Sequence, residues 1–203
     1  MATDNKAFRK QLGIFKAHGG MMRTMQAVRL GIHPRDLLAM KAAGAVEQIS
    51  RGLYRVSSLA PLAHPDLITV AVKIPKGVIS LISALAFHEI TTQIPNEVHV
   101  ALPFGAEKPR LDHPPTGYSW FTEPAFGSGI EIHKLDGVPV RIYSAEKTVA
   151  DCFKARNKIG LDVAIEALKL CRQKKRSTPE ALMKYAKICR VDKIMKPYLE
   201  AIL

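Results

Sequence analysis

The sequence predicts an α+β protein in which a small helical domain carrying a β-hairpin precedes a larger mixed domain. Three observations predict this class. Residues 20–57 combine two short helical patterns, a tight turn and a hairpin pattern. Residues 97–143 carry several strand-like stretches separated by turn residues, and the segment from Ser144 onward is helical in pattern.

A proline-containing stretch marks the boundary between the two parts. Residues 57–65 read SSLAPLAHP and mix small residues with two prolines, a composition typical of a linker. We therefore predict one domain over residues 1–58 and a second over residues 59–203. A first helix is predicted for residues 2–17, because Phe8, Leu12 and Phe15 recur at helical spacing.

The next helical pattern is short and ends at a glycine. Thr24 is a candidate N-cap, and Gly31 tolerates the left-handed backbone with which helices commonly end. Within it, Met25, Val28 and Leu30 are predicted to supply the apolar side.

A second short helix follows almost at once. His33 is a candidate cap, and Pro34 suits the first helical position because its fixed φ is helical and its missing N–H is not needed there. Leu37 and Met40 lie three residues apart on one face, which we predict to be buried, and Gly44 ends the helix.

Two strand-forming segments complete this part of the chain. Residues 45–49 and 53–57 flank Ser50-Arg51-Gly52, which predicts a hairpin with Arg51 at its tip. Helix, helix and hairpin in this order form a winged helix-turn-helix, in which the second helix enters the DNA major groove. The same order also occurs in small domains that bind no DNA.

The solvent face of the second helix supplies candidate base contacts. Arg35 could form a bidentate contact with guanine, Asp36 and Ala39 could tune base preference, and Leu38 could touch a thymine methyl. The alternative for Arg35 is a solvated charge at a helix N-terminus. Phosphate contacts are predicted for four neighbouring polar residues: Arg23, Thr24, Lys41 and Arg51.

The second domain is predicted to contain a small, mainly antiparallel sheet and C-terminal helices. A short helix over residues 66–72 and a buried helix over the apolar run 78–90 should come first. Strands are predicted at 97–102, 118–121, 130–135 and 138–143, with a long loop at 103–117, and helices at 144–156, 161–171, 182–189 and 193–203. Ser144 is predicted to cap the first of these helices, and Ser177-Thr178-Pro179-Glu180 is a helix start before the third.

Charge is distributed unevenly along the 203 residues, whose formal net charge is +12. Residues 1–60 hold 10 Lys and Arg against 3 Asp and Glu, residues 61–140 hold 5 against 8, and residues 141–203 hold 15 against 7. A basic N-terminal domain fits phosphate binding through counterion release. The basic residues of the third part could be a solvated helix face or a second surface, comprising Lys154, Arg156, Lys158, Arg172, Lys174, Lys175 and Arg176.

The sequence carries no targeting or membrane signal that we recognise, and we expect a cytoplasmic protein. No stretch approaches the roughly 18 consecutive apolar residues of a transmembrane helix, and residues 11–15 are too brief for a signal-peptide core. The three cysteines, at 152, 171 and 189, are widely spaced, which argues against a disulfide framework or a zinc knuckle and favours buried thiols.

The sequence shows no catalytic constellation, so we predict that the protein is not an enzyme and uses neither a cofactor nor a metal. The sequence lacks phosphate-binding glycine motifs and the nucleophile motif G-x-S-x-G. Among its histidines, His88 is interpreted as a hydrogen-bonded core residue. Lys147 and Asp151 are interpreted as a simple i,i+4 ion pair on a helix.

Three stretches carry a resemblance to a known family. They read HPDL at 64–67, IPKGVISLISALAFHEITTQIPNEVHVALPFG at 74–105 and RIYSAEKTVADCFKARNKIGLDVAIEAL at 141–168. Together with the N-terminal motif and the segment RGLYRV, they make the chain resemble the AbiEi-type antitoxins of type IV toxin-antitoxin systems. One departure is Glu89, where we expect a glycine or another small or neutral residue.

The resemblance implies a transcriptional regulator with two tasks. Its N-terminal domain would repress its own operon, and its C-terminal domain would counteract a nucleotidyltransferase-like toxin without a stable complex. Double-stranded operator DNA would then be the firm partner of a monomer or weak dimer, and the second basic surface would meet either nucleic acid or act against the toxin. The alternatives are a ligand-responsive regulator with a pocket beside the 78–90 helix, and a metal-dependent nuclease.

Overall fold

The computed structural model describes residues 7–174 and 177–202. These residues form two compact units, one of residues 7–69 with 135–138 and one of residues 70–134 with 139–174 and 177–202. Each unit has its own cluster of buried apolar side chains. The domain limits at 1–58 and 59–203 remain a prediction. Within the described residues, every helix is too short or too polar to cross a bilayer.

The first unit has the hairpin and the three helices that the sequence predicts, except that the first helix begins at Arg9 and not at residue 2. Residues 2–6 of that prediction lie outside the described residues. The order of the helices and the hairpin is compatible with a winged helix-turn-helix. The elements are α1 (Arg9–Ala17), β1 (Met21–Arg23), α2 (Thr24–Arg29), α3 (Pro34–Ala42), β2 (Val46–Ser50) and β3 (Leu53–Val56).

A three-stranded antiparallel sheet in the order β1-β3-β2 joins these elements. β1 is not predicted from the sequence, because three residues are too few to show strand alternation. Phe15 of α1, Leu37 and Met40 of α3, and Val56 of β3 contribute to one buried cluster. The small core therefore includes all three layers of this unit, namely helix α1, the helix pair and the sheet.

The prediction that Met25, Val28 and Leu30 supply the apolar side of α2 is wrong. Met25 and Val28 are exposed to 69% and 44%, and Leu30, the C-cap residue, is also exposed. The helix is only six residues long and buries Ala27, while Ile32 in the following turn is also buried. A helix of this length presents few residues to the core, so a spacing rule derived from longer helices selected the wrong face. Thr24 is the first helical residue and Arg23 the N-cap, so the predicted cap is displaced by one residue.

The remaining elements form a mixed sheet followed by helices. In chain order they are α4 (Pro65–Lys73), β4 (Val78–Ile79), α5 (Leu81–Phe87), β5 (Val98–Pro103), β6 (Thr116–Phe121), β7 (Ile130–Leu135), β8 (Val138–Tyr143), α6 (Ala145–Lys154), α7 (Arg156–Ile159), α8 (Leu161–Gln173), α9 (Pro179–Ile188) and α10 (Asp192–Glu200). The α+β class is confirmed.

The five-stranded sheet has the order β6-β5-β4-β8-β7. β4 pairs antiparallel with β5 and parallel with β8, and β5 pairs parallel with β6. Parallel pairing thus enters a sheet that we predicted to be mainly antiparallel. The long crossover connections between the paired strands make it possible.

The predicted single helix over residues 78–90 is wrong at its start. Val78 and Ile79 form the central strand β4, and the helix begins only at Leu81. Both strand residues are buried, because β4 lies between two other strands and inside the unit. A strand buried on both faces is uniformly apolar and has no alternation, so its sequence reads like part of a buried helix.

The C-terminal helices begin at the caps that the sequence suggests. Ser144 Oγ accepts from the Lys147 backbone N–H at 3.3 Å, and Thr178 Oγ1 accepts from Ala181 N–H at 3.2 Å. α6 is buried along almost its whole length and packs in one cluster with α5, α8, α9 and α10. This central helix is therefore the main support of the second unit.

Glu89 ends α5 in the left-handed conformation, with φ of +56°. Its backbone N–H donates to the Ala86 carbonyl, and the Ile90 N–H donates to the Leu85 carbonyl at 2.9 Å, as in a glycine-terminated helix. The expectation of a glycine at this position thus has a structural reason.

Replacing this residue with glycine should stabilise the protein. Glu89→Gly should raise the free energy of unfolding by about 0.5–1 kcal/mol in chemical denaturation, because glycine adopts positive φ without steric cost. The ion pair with Lys174, at 3.6 Å between exposed side chains, contributes little, so its removal costs little. Glu89→Gln is the matched control, since it removes the charge but keeps the Cβ atom. An equal gain in this control would attribute the effect to charge and contradict the backbone explanation.

Candidate nucleic-acid interface

The turn between α2 and α3 is held by backbone hydrogen bonds and a side-chain cap. The Ile32 N–H donates to the Ala27 carbonyl at 2.9 Å, and Gly31 before it has φ of +86°. His33 is the N-cap of α3, where its Nδ1 accepts from the Arg35 backbone N–H at 3.2 Å. The first helical residue is Pro34, as predicted. Residue types that suit each position thus fix the angle at which α3 leaves the turn.

Helix α3 has one buried face and one solvent face. Leu37 and Met40 are buried, as predicted. Arg35 and Ala39 are exposed, and 61% of Leu38 is accessible to solvent. Asp36 is half-buried in the first turn of the helix, where a carboxylate is favourable to the helix dipole. The solvent face therefore offers a cation with hydrogen-bond donors, a small side chain and an aliphatic side chain.

Lys41 links this helix to the hairpin. Its Nζ donates to Oε1 of Gln48 on β2 at 2.7 Å, and both side chains are exposed. The contact orients the ammonium group beside the sheet while leaving it accessible to a phosphate. No sequence pattern marks Gln48, because a polar residue in a half-exposed strand carries no distinctive signal.

The predicted phosphate contacts on β1 and α2 lie next to the hairpin turn. Arg23 pairs in register with Leu53, and the Thr24 N–H donates to the Gly52 carbonyl at 3.0 Å. Arg51 is exposed in that turn. The structure thus brings Arg23, Thr24 and Arg51 together. Nη2 of Arg23 is buried and has no hydrogen-bond partner among residues 7–174 and 177–202.

A buried arginine braces the hairpin from the inside. Arg55 on the central strand β3 is 5% exposed, and its Nη1 donates to Glu47 Oε1 at 2.9 Å. Its guanidinium also donates to the carbonyls of Leu59 and Ala60. Strand alternation did not reveal this role, because all four residues of β3 are buried.

The predicted second basic surface is only partly available. Arg156 and Arg172 are half-buried, and each donates to a backbone carbonyl, of Phe153 at 3.0 Å and of Ser177 at 2.7 Å. Lys154, Lys158 and Lys174 are exposed. The other two predicted members, Lys175 and Arg176, lie outside the described residues.

The interpretation of Lys147 and Asp151 as a simple helical ion pair is wrong in one respect, because both side chains are completely buried. Lys147 Nζ lies 2.6 Å from each carboxylate oxygen of Asp151 and 4.2 Å from the ring centre of Tyr143. The Cys189 thiol donates to Asp151 Oδ1 at 3.3 Å, and burial raises the pKa of this thiol to about 12. Gly129 makes room for the lysine, since a Cβ atom there would lie 2.7 Å from the Cβ of Lys147.

The pKa of the Asp151 carboxyl is raised by burial, and the ammonium group of Lys147 opposes this shift. His88 is a hydrogen-bonded residue as predicted, with Nε2 donating to the Tyr143 carbonyl at 2.7 Å. In the described part of the chain, no cluster of three or more His, Cys, Asp and Glu side chains is arranged to hold a metal ion.

Comparison with known proteins gives a family for the N-terminal part and a fold for most of the chain. The fold is similar to that of the RV2827C protein from Mycobacterium tuberculosis, a crystal structure, with a TM-score of 0.62 and 10% sequence identity over 96% of this chain and 80% of that chain. No curated protein matches the sequence. A family model described as "Transcriptional regulator, AbiEi antitoxin" matches residues 8–57, which span α1 to the end of the hairpin. The resemblance to AbiEi-type antitoxins and transcriptional regulators is therefore confirmed for residues 8–57, and the rest of the chain lies outside this family match.

Proposed function

We propose that this protein is a DNA-binding transcriptional autorepressor and the antitoxin of a type IV toxin-antitoxin system. The observation that carries the proposal is the solvent face of α3, where Arg35, Leu38 and Ala39 are exposed beside a hairpin that bears Arg51. In a winged helix-turn-helix, this face reads base edges in the major groove. The family match over residues 8–57 supports the same assignment.

The DNA contacts divide into two classes. Arg35 reads a guanine, Leu38 contacts a thymine methyl, and Asp36 and Ala39 set the preference at neighbouring bases. Arg23, Thr24, Lys41 and Arg51 bind phosphates and fix the register without reading sequence. The exposed Met25 and Val28 on α2 belong to neither class.

The test is specific binding to the protein's own promoter. Fluorescence anisotropy should show the full chain binding the fragment upstream of its operon at least ~10³-fold more tightly than a shuffled fragment of equal length. Measurements from about 50 to 200 mM salt should show affinity falling steeply as counterions are released. Equal affinity for both fragments across this range would contradict the proposal.

The second unit carries the antitoxin activity in this proposal. It counteracts a nucleotidyltransferase-like toxin encoded beside it, without a stable complex. Growth rescue on co-expression, together with separate elution of the two purified proteins, is the expected result. Co-elution of the two proteins in size-exclusion chromatography would contradict the proposal that they act without a stable complex.

The exposed lysines of the second basic surface either bind nucleic acid or act against the toxin. We assign the lysines the second role, in which Arg156 and Arg172 take less part because each already donates to a backbone carbonyl. The double variant Lys158→Ala, Lys174→Ala should abolish growth rescue and leave the salt dependence of promoter binding unchanged. A DNA role would instead reduce the slope of log K against log salt by about 0.9 for each phosphate that is no longer neutralised. Lys193→Ala, on an exposed position of α10, is the matched control.

A further inference from the structure

One edge of the five-stranded sheet is a strand without charged residues. β6 comes first in the strand order, and within the described residues it pairs only with β5. Its sequence, TGYSWF, also lacks proline. β7, at the opposite edge, carries Glu131 and Lys134, and both are exposed. Charged side chains and prolines hinder pairing of an edge strand with another molecule, so β7 is protected in this way and β6 is not.

The ladder between β5 and β6 shows which backbone groups of β6 face outward. The Val98 N–H donates to the Pro115 carbonyl at 2.8 Å, and the two strands are parallel. In a parallel pair with this register, the odd-numbered residues of β6 bond to β5. The N–H and C=O groups of Thr116, Tyr118 and Trp120 therefore point away from the sheet, and they have no backbone partner among residues 7–174 and 177–202.

The loop that connects β5 to β6 packs on side chains of β6. Trp120 Nε1 donates to the Ala106 carbonyl at 2.8 Å, and Lys108 Nζ lies 5.8 Å from the ring centre of Tyr118. Side chains of a strand stand on the faces of the sheet, so these contacts leave the backbone groups of the outer edge available. Trp120 remains 42% exposed.

We propose that β6 is a dimerisation edge, which pairs antiparallel with β6 of a second copy of this chain. A twofold axis at Tyr118 places this residue opposite its own counterpart and places Thr116 opposite Trp120 of the second copy. The outward residues of both strands then form the hydrogen-bonded pairs of an antiparallel ladder. All three outward N–H groups of each copy donate across the axis, and all three outward carbonyls accept.

The arrangement of these groups is the reason for choosing a second copy as the partner. The three outward residues are placed symmetrically about Tyr118, so each strand satisfies the other without leaving a group unpaired, as a twofold contact requires. Tyr118 and Trp120 stand on the same face of the sheet, where aromatic side chains favour cross-strand contact. The strand also opposes no like charges across the axis, although the whole chain carries a formal net charge of +12.

The contact involves one strand from each copy, and it is therefore smaller than a standard interface and should give a weak dimer. It lies in the second unit and does not depend on DNA binding by residues 8–57. Dimerisation is therefore measured without DNA, so that its failure and the failure of promoter binding are separate results.

The single tryptophan of the sequence lies at this edge and reports on dimerisation. The full chain is diluted from about 1 mM to about 1 μM while Trp120 emission is recorded and sedimentation equilibrium gives the mass. A change from dimer to monomer on dilution, with a red shift of the emission, is the expected result. A monomer at every concentration would overturn the proposal, and so would a dimer whose formation leaves the Trp120 emission unchanged.

The salt dependence of dimerisation should have the opposite sign to that of promoter binding. Raising the salt concentration from about 50 to 200 mM screens the repulsion between two basic chains, so the dimer should become tighter. Promoter binding weakens over the same range because counterions are released. A dimer that weakens with salt would indicate ion pairs on another surface and contradict pairing through an uncharged edge.

A proline at the axis should break the dimer and keep the sheet. Tyr118→Pro removes an outward N–H, while the ladder to β5 uses residues 117 and 119. The dissociation constant should rise at least about tenfold, because the dimer loses two hydrogen bonds. Tyr118→Phe is the matched control, since it keeps the backbone N–H and the ring, and it should dimerise as wild type. Equal dissociation constants for the two variants would contradict the proposed pairing.

Cysteine cross-linking tests the register without introducing proline. Tyr118→Cys places two thiols opposite each other at the axis, at a Cα separation that a disulfide can span. Ser119→Cys places them two residues apart along the strands, beyond that separation. The native cysteines are buried. With diamide as oxidant, Tyr118→Cys should give a covalent dimer on a non-reducing gel and Ser119→Cys should remain monomeric. Equal cross-linking of the two variants, or no cross-linking of either, would show that this register is wrong.

Discussion

Lys147→Met should lower the free energy of unfolding by about 3–5 kcal/mol at neutral pH, the largest effect that we expect from a single substitution. The variant leaves the Asp151 carboxylate buried without its counter-ion, since Lys147 Nζ contacts both carboxylate oxygens at 2.6 Å. The Cys189 thiol would remain as a weak donor. Chemical denaturation followed by circular dichroism measures this loss.

The loss should depend on pH in a direction that identifies its cause. Burial raises the folded-state pKa of Asp151 above its ordinary value, and Lys147→Met removes the cation that opposes this shift. Between the unfolded and folded pKa values, the folded state then binds more protons than the unfolded state, so stability falls as pH rises. The variant should therefore be closest to wild type at acidic pH and weakest at neutral pH. A loss that is constant with pH would indicate a packing defect instead.

Replacing both partners should recover most of the lost stability. Buried ion pairs are often neutral or unfavourable relative to apolar side chains of similar size, because both charges must be desolvated. The double variant Lys147→Met, Asp151→Leu should therefore be more stable than Lys147→Met alone, with a coupling free energy in the range of about 0.5–3 kcal/mol or above. Purely additive losses would show that the two side chains do not act as a pair.

Arg35→Ala should weaken promoter binding by ~1–3 kcal/mol and relax preference at one base pair, as removal of a bidentate guanine contact requires. The substitution leaves the start of α3 intact, because the cap contact with His33 uses the backbone N–H of Arg35 and not its side chain. Anisotropy titrations against the wild-type promoter and single-base variants measure both effects. The free energy of unfolding should be unchanged within ~0.5 kcal/mol, as for an exposed side chain.

Arg51→Ala is the matched control for Arg35→Ala. Arg51 lies in the hairpin turn, and a phosphate contact there carries no base information. Its removal should weaken promoter and shuffled DNA alike and reduce the salt slope by about one. If both variants lose the same affinity for both kinds of DNA, the assignment of Arg35 to base reading is wrong.

Local sequence patterns predicted the structure correctly wherever a residue type has one strong conformational preference. Pro34 after a capping His33, Ser144 before α6 and Thr178 before α9 each begin a helix as predicted. The buried face of α3 followed from the spacing of Leu37 and Met40, since a nine-residue helix shows its period. The candidate base-reading residues of α3 were accessible to sequence reasoning for the same reason.

Sequence patterns gave wrong predictions for an element that is buried on both faces and for an element that is very short. β4 reads as part of a helix because a central strand needs apolar residues on both faces. α2 has too few residues to show which face is covered, and Met25 was assigned to the wrong side. The position of β6 at an edge of the sheet depends on pairings between distant strands that no local pattern connects.

The sequence by itself determined the α+β class, the helix-helix-hairpin order, the helix caps and the resemblance to AbiEi-type regulators, because these depend on preferences between neighbours in the chain. The tertiary structure alone decided that Lys147 and Asp151 are buried and that Arg55 braces the hairpin. The physical reason is that desolvation depends on everything packed around a side chain. An ion pair at i,i+4 spacing has the same sequence pattern on the surface and in the core. Its contribution to the free energy of folding differs between these two environments.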